Sequence, residues 1–256
     1  MSASNPPATP GLDKYSAPHW LGARANRRFH VMAKPAGSAC NLDCAYCFYL
    51  SKRVLPGGPG SGHMPDDVLE RFVKDYIDSI TADEVVFSWQ GGEPTLLGLG
   101  FFEKVVALQK KHARAGQRIE NDLQTNGTLL DDDWARFLKQ QRFLVGLSID
   151  GPREIHDHCR ITKHAEPTFD QVFAAAKMLQ KHGVRFNTLT CVHRYNASRP
   201  LDVYRFLRRE IGSTYIQFIP IVEIKGFEKM APGTWDEARL PMPGDPRCHP
   251  DHPDSV

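Results

Sequence analysis

Residues 36–50 read AGSACNLDCAYCFYL and carry three cysteines, Cys40, Cys44 and Cys47, in the spacing Cys-x3-Cys-x2-Cys. Three thiolates at this spacing can hold three irons of a [4Fe–4S] cluster and leave the fourth iron open to chelate a small molecule. Two alternatives stay open: a zinc site completed by a distant Cys or His, and three thiols that bind no metal. Zinc sites usually use two cysteine pairs, and this sequence has one. The spacing therefore favours the cluster.

Strands and helices alternate along the chain around this segment, from Phe29 onward. Strands are predicted at residues 30–34, 84–89, 118–124, 144–149, 185–192 and 215–222, and helices at 65–80, 100–115, 131–140, 168–182 and 199–210. This order predicts an α/β protein with a parallel sheet and right-handed crossovers. A doubly wound sheet and a partial β/α barrel both satisfy it.

The flanking segments have a different composition. Residues 1–28 are rich in Pro, Ser, Ala and Asn, which predicts a flexible lead-in before the folded part at 29–222. Residues 223–256 lose the periodicity, and their prolines forbid a regular helix or a central strand. We expect an irregular tail there, cut before a further domain.

Composition excludes several classes of protein. The 256 residues are 41% hydrophobic and 24% charged, with a net charge of +2. Such a balance gives no polybasic field for nucleic acid or anionic lipid. No apolar run approaches the roughly 18–20 residues that cross a bilayer, and the N-terminus has no apolar signal region. The sequence predicts a cytoplasmic protein that binds neither nucleic acid nor membrane.

Other candidate site residues follow the predicted strands. Gly91 and Gly92 let a backbone approach a ligand closely, and Glu93 can receive an ammonium group, although an ordinary turn is the alternative. The Ser148 hydroxyl suits a ribose, and Arg160 suits a carboxylate. The alternative is that Ser148 is a turn residue and Arg160 forms an ion pair at the surface.

Taken together, these motifs resemble the radical S-adenosylmethionine (radical SAM) family. The resemblance rests on Cys40-x3-Cys44-x2-Cys47 with Tyr46 before the third cysteine, and on Gln90-Gly91-Gly92-Glu93-Pro94 after the second strand. It implies a partial (β/α)6 TIM-like barrel of the radical SAM type. It also implies a [4Fe–4S] cluster and SAM as cofactors, with chemistry through a 5′-deoxyadenosyl radical.

The resemblance narrows to the anaerobic sulfatase-maturating branch in the segments Cys47-Phe48-Tyr49, Trp89–Thr95 and Ile216–Pro220. Carried over residue by residue, the three cysteines bind the cluster. The resemblance implies SAM contacts from Tyr46, Gly91, Gly92, Glu93, Asn126, Ser148, Arg160 and Ile221. It also implies that Tyr49 and Gln90 face the peptide substrate. Asn126 lies in a Thr-Asn-Gly-Thr turn common in that group, and Ile221 has core packing as its alternative.

The implied reaction oxidises a Cys or Ser of a sulfatase to Cα-formylglycine. Its partners would be an unfolded or nascent sulfatase polypeptide and a reducing protein such as flavodoxin or ferredoxin. The branch continues into a cysteine-rich SPASM domain, which is thought to hold the catalytic base. Cys159, Cys191 and Cys248 are too few for that domain's two clusters. Two alternatives stay open. One is another radical SAM/SPASM peptide maturase, which forms thioether or carbon–carbon crosslinks, and the other is a non-catalytic metal-binding module.

Overall fold

A computed structural model describes residues 29–47, 49 and 63–221. The predicted lead-in at 1–28, the tail at 223–256 with Cys248, and Phe48 lie outside the described residues, so the predictions made for them stay predictions.

The six strands are all parallel. They are β1 Val31–Ala33, β2 Glu84–Trp89, β3 Arg118–Thr125, β4 Leu144–Ser148, β5 Arg185–Val192 and β6 Ile216–Pro220. Their order in the sheet is their order in the chain. A doubly wound sheet places its first strand in the interior, whereas here β1 lies at one edge. The sheet is therefore the half-barrel that the resemblance implies.

Seven helices connect the strands in the described part of the chain. They are α1 Asp66–Ser79, α2 Leu99–His112, α3 Asp132–Gln140, α4 Arg153–Cys159, α5 Phe169–Lys181, α6 Arg194–Ala197 and α7 Pro200–Arg209, with a 3₁₀ turn at Pro94–Leu97. The five predicted helices and six predicted strands are confirmed, with ends that differ by a few residues. The helices α4 and α6 and the 3₁₀ turn were not predicted, because each is too short for helical periodicity to show.

Local sequence explains where the helices begin and which face they bury. The residues of α1 that lie against the sheet, Leu69, Val73 and Ile77, recur every four residues and are all fully buried. At the start of α3, the Asp131 side chain accepts a hydrogen bond from the Trp134 backbone N–H at 2.9 Å, which caps the helix. No helix in the described ranges is both long and apolar enough to cross a membrane.

Alternation along the strands separates a packed face from a polar face. In β2, Phe87 and Trp89 are buried against the helices and stack with ring centroids 5.9 Å apart. Ser88 points to the other face, where its hydroxyl donates to Asp122 and contacts the His30 ring nitrogen at 2.6 Å. The helices therefore cover one face of the sheet, and polar side chains line the inside of the half-barrel.

Candidate functional site

A cavity of about 330 Å³ lies at the carboxyl ends of the strands. All three cysteines of the segment after β1, Cys40, Cys44 and Cys47, line it. The predicted site residues that share its wall are Tyr46, Tyr49, Gly91, Gly92, Asn126, Ser148, Arg160 and Ile221. The carboxyl ends of parallel strands meet at one end of a barrel, so residues far apart in the sequence come together there.

Two predicted site residues lie outside this wall. Gln90 follows β2, and its backbone N–H donates to the Ala33 carbonyl oxygen at 2.9 Å; Glu93 lies behind the wall, fully buried. Conversely, Gln124 and Cys191 line the cavity although they were not predicted as site residues. Their signal in the sequence is strand alternation, since each falls on the inward face near the end of its strand.

The segment from Ala36 to Cys47, here called the cysteine loop, is held by backbone hydrogen bonds against the end of α4 and the residues that follow it. The Asp43 N–H donates to the Ile161 carbonyl oxygen, and the Ala45 N–H donates to the Cys159 carbonyl oxygen, both at 2.9 Å. Within the loop, the Cys47 N–H donates to the Cys44 carbonyl oxygen at 2.9 Å. The conformation of the loop is therefore set by its contacts with α4 as well as by its own turn.

Gly91 and Gly92 bring the segment after β2 onto the other side of the cysteine loop. The Gly92 N–H donates to the Gly37 carbonyl oxygen at 2.9 Å, and the Glu93 N–H donates to the Ala39 carbonyl oxygen at 2.8 Å. A Cβ atom on Gly92 would lie 2.1 Å from the Ala39 oxygen, and Gly91 has a φ of 117°. Only glycine permits this approach and this φ angle.

The Glu93 carboxylate is surrounded by protein donors. One oxygen accepts from the Thr95 N–H and hydroxyl at 3.0 and 2.6 Å and from the Thr125 hydroxyl at 2.8 Å. The other accepts from the Asn126 N–H at 2.7 Å. Burial raises the pKa of Glu93, and these hydrogen bonds oppose the rise. This placement gives Glu93 a role in joining the ends of β2 and β3, whereas the sequence suggested a direct contact with an ammonium group.

A buried ion pair supports the opposite wall. Arg160 donates to both oxygens of Asp150, from Nε at 2.9 Å and from Nη2 at 3.2 Å, and the Asp150 side chain is fully buried. The Tyr46 hydroxyl donates to the same carboxylate, and the guanidinium carbon lies 5.5 Å from the centre of the Tyr46 ring. Asp150 therefore orients two cavity residues at once. Sequence reasoning missed it; its signal is an acid two residues beyond Ser148, at the end of β4.

Cys40 and Cys44 are held in a setting that opposes ionisation of their thiols. Burial raises the pKa of Cys40 to about 11 and that of Cys44 to about 12. The positive charge of Arg160 lowers the pKa of Cys44, but the neighbouring cysteines raise it. Because thiolates are the metal ligands, metal binding must drive the release of these protons.

The placement of the three cysteines bears on which metal group they could hold. Among the residues that the structure describes, no three His, Cys, Asp or Glu side chains are grouped to hold one metal ion. Yet the three cysteines surround one cavity. In a [4Fe–4S] cluster each cysteine binds a different iron, so the sulfurs stand further apart than around zinc. The three cysteines, which line one cavity together, thus fit a cluster.

Comparisons with known proteins agree with this geometry. Residues 35–207 match the sequence model of the radical SAM superfamily. The chain is 47% identical over 194 residues to the serine-type anaerobic sulfatase-maturating enzyme of Bacteroides thetaiotaomicron, covering 76% of this chain and 46% of that enzyme. It is 45% identical over 201 residues to the cysteine-type enzyme of Clostridium perfringens, covering 77% of this chain and 54% of that enzyme.

A solved structure described as native anSMEcpe with bound AdoMet and Kp18Cys peptide is similar to this chain. Its TM-score is 0.70 and its sequence identity 43%, over 76% of this chain and 51% of that chain. This chain therefore spans about half the length of the relatives that it matches.

Proposed function

Since this chain belongs to the radical SAM superfamily, we propose that it is the half-barrel of an enzyme that oxidises a cysteine or serine of a sulfatase to Cα-formylglycine in the cytoplasm. One observation carries the proposal: Cys40, Cys44 and Cys47 converge on one cavity whose wall also holds Gly91 and Gly92. Identities of 47% and 45% to a serine-type and a cysteine-type maturating enzyme support this branch of the superfamily.

The cysteines would hold three irons of a [4Fe–4S] cluster, with SAM in the remaining space of the cavity. When bound, the two cofactors supply the 5′-deoxyadenosyl radical that removes a hydrogen atom from the substrate. Arg160 offers the SAM carboxylate a cation whose orientation Asp150 maintains through two hydrogen bonds. Ser148 presents a hydroxyl, and the backbone at Gly91 and Gly92 presents peptide groups, in the same wall. Ser148 and Arg160 are buried, which limits the access of water to their polar groups.

The substrate would reach the cavity beside Tyr49. This ring lies in the cavity wall, with the Lys34 ammonium 5.2 Å from its centre. We assign Tyr49 and Gln90 to the peptide side and Tyr46, Asn126 and Ile221 to the cofactor side. The partners are a nascent or unfolded sulfatase polypeptide and a reducing protein such as flavodoxin or ferredoxin.

The test is an anaerobic reaction of the chain reconstituted with iron and sulfide. Reduced protein, SAM and a Cys-x-Pro-x-Arg peptide or its Ser counterpart are incubated, and the products are analysed by mass spectrometry. We expect deoxyadenosine and formylglycine, and neither product from Cys44→Ala, because three thiolates are needed to leave one iron open. Deoxyadenosine with an unchanged peptide would keep the radical chemistry and point to another substrate or to a need for the part of the relatives that this chain does not span. A cluster-loaded chain that cleaves no SAM would contradict the radical chemistry as well.

A further inference from the structure

The side chain of Asn126 contacts the sulfur of Cys40. Asn126 follows β3 directly, and its Nδ2 atom lies 3.7 Å from the Cys40 sulfur and 2.9 Å from Oδ1 of Asn41. The same sulfur accepts from the Leu42 backbone N–H at 3.4 Å. A cysteine that binds iron has lost its proton, so its sulfur is then only an acceptor. Both neighbouring N–H groups are therefore of the kind that such a sulfur requires.

The orientation of the Asn126 amide is determined by its other contacts. Its Oδ1 atom accepts from the Thr128 backbone N–H at 3.0 Å and from the Thr128 hydroxyl at 2.8 Å. Because a backbone N–H can only donate, the oxygen must face Thr128 and the nitrogen must face Cys40. The Thr128 hydroxyl in turn accepts from Nδ2 of Asn41 at 2.8 Å, which closes a ring of hydrogen bonds.

The backbone of Asn126 is anchored as well. Its N–H donates at 2.7 Å to Glu93, whose side chain is fully buried, and Asn126 itself is buried. Glu93 is joined to the cysteine loop through its own N–H, which donates to the Ala39 carbonyl oxygen at 2.8 Å. The amide is thus held in place relative to the loop from both sides, and little conformational entropy is lost when it donates to the sulfur.

We propose that Asn126 is a positioning residue that donates a hydrogen bond to the Cys40 sulfur and thereby raises the reduction potential of the cluster. Reduction adds negative charge to the iron and its sulfur ligands. An N–H group directed at a ligand sulfur stabilises the more negative, reduced state. This inference rests on the proposed function, since it requires the cluster, and it assigns Asn126 to the cluster where the sequence assigned it to SAM.

The test measures the potential of the cluster in the reconstituted chain without SAM, by redox titration followed by EPR. Asn126→Ala removes the donor, and we expect the equilibrium constant for reduction to fall about tenfold, or about 59 mV for one electron. Asn126→Asp keeps the shape and the acceptor for Thr128 but replaces the donor with a carboxylate, so its potential should be lower still. Thr128→Val, the matched control, removes the hydroxyl but keeps the backbone N–H that directs the amide oxygen away from the sulfur. Its potential should stay within about twofold of the wild type, expressed as the equilibrium constant for reduction.

Iron and sulfide content is measured in each protein to separate the outcomes. If the wild-type chain takes up no cluster, the proposed function fails. If the variants carry the same cluster content as the wild type and their potentials agree within about twofold, the role of Asn126 is wrong and the proposed function stands.

A second measurement needs no substitution. Asparagine labelled with ¹⁵N in the side-chain amide should give a nitrogen coupling to the reduced cluster in pulsed EPR of the wild type. Its absence would overturn the inference even if Asn126→Ala did not bind the cluster.

Discussion

Replacing Gly92 with alanine tests how the segment after β2 supports the cysteine loop. The added Cβ would lie 2.1 Å from the Ala39 carbonyl oxygen and 2.7 Å from the Ser38 carbonyl carbon. Both are backbone atoms, so no side-chain rotation relieves the clash, and the two segments must separate by about 1 Å to reach ordinary contact. The hydrogen bonds from the N–H groups of Gly92 and Glu93, now 2.9 and 2.8 Å long, would then exceed the usual range.

The expected loss of stability follows from those contacts. Two buried backbone hydrogen bonds contribute about 1 kcal/mol each, and overpacking costs about 1–3 kcal/mol. We therefore expect Gly92→Ala to lower the free energy of unfolding by about 3–5 kcal/mol. Gly100 provides the matched control, because it lies in α2 and no atom outside its chain neighbours and the surrounding helix backbone comes within 4 Å of its Cβ position. Gly100→Ala should raise the free energy of unfolding by about 0.5–1 kcal/mol.

Urea unfolding followed by circular dichroism measures both variants, and iron and sulfide analysis measures the cluster after reconstitution. Gly92→Ala should unfold at lower urea and bind less iron than Gly100→Ala, because the displaced segment no longer supports the loop. If the two alanine variants unfold together and bind equal iron, then the close approach of Gly92 to Ala39 does not hold the loop.

Three further substitutions address the ion pair, a buried histidine and a helix cap. Asp150→Asn leaves the buried Arg160 without its counter-charge, so the free energy of unfolding should fall by about 3–5 kcal/mol; an unchanged urea midpoint would contradict this. Burial lowers the pKa of His156 to about 3, so between about pH 6.5 and 3 the unfolded chain binds a proton that the folded chain does not. As the pH is lowered through that window, this group should reduce the free energy of unfolding by up to about 1.4 kcal/mol per pH unit. His156→Gln should show a shallower dependence of the free energy of unfolding on pH, and parallel slopes for the two proteins would rule this out. Asp131→Ala removes the cap of α3 and should cost about 1 kcal/mol in thermal or urea unfolding, whereas Asp131→Ser should restore most of it.

Much of the fold could be predicted because its signals are local. β5 was predicted with its observed bounds, Arg185–Val192, from a run of alternating and β-branched residues between turns. The helix α4 was missed because its seven residues, REIHDHC, are too few for helical periodicity to show, although Ile155 and Cys159 are buried four residues apart. Cavity residues such as Ser148 and Arg160 were found through motifs. Gln124 was not, because it belongs to no motif and only strand alternation marks it as facing inward.

The sequence by itself determined the elements, the three-cysteine spacing and the glycines that follow β2, because these depend on residues close together in the chain. Periodicity left open whether the strands form a doubly wound sheet or a partial barrel, because the two folds differ in which strands are neighbours in the sheet. Only the tertiary structure showed that strand order follows chain order. The same holds for the partners of buried polar groups: Glu93 with Asn126, Asp150 with Arg160, and the Asn126 amide with the sulfur of Cys40, 86 residues away. Hydrogen bonds over such separations depend on the packed fold, and no local pattern in the sequence encodes them.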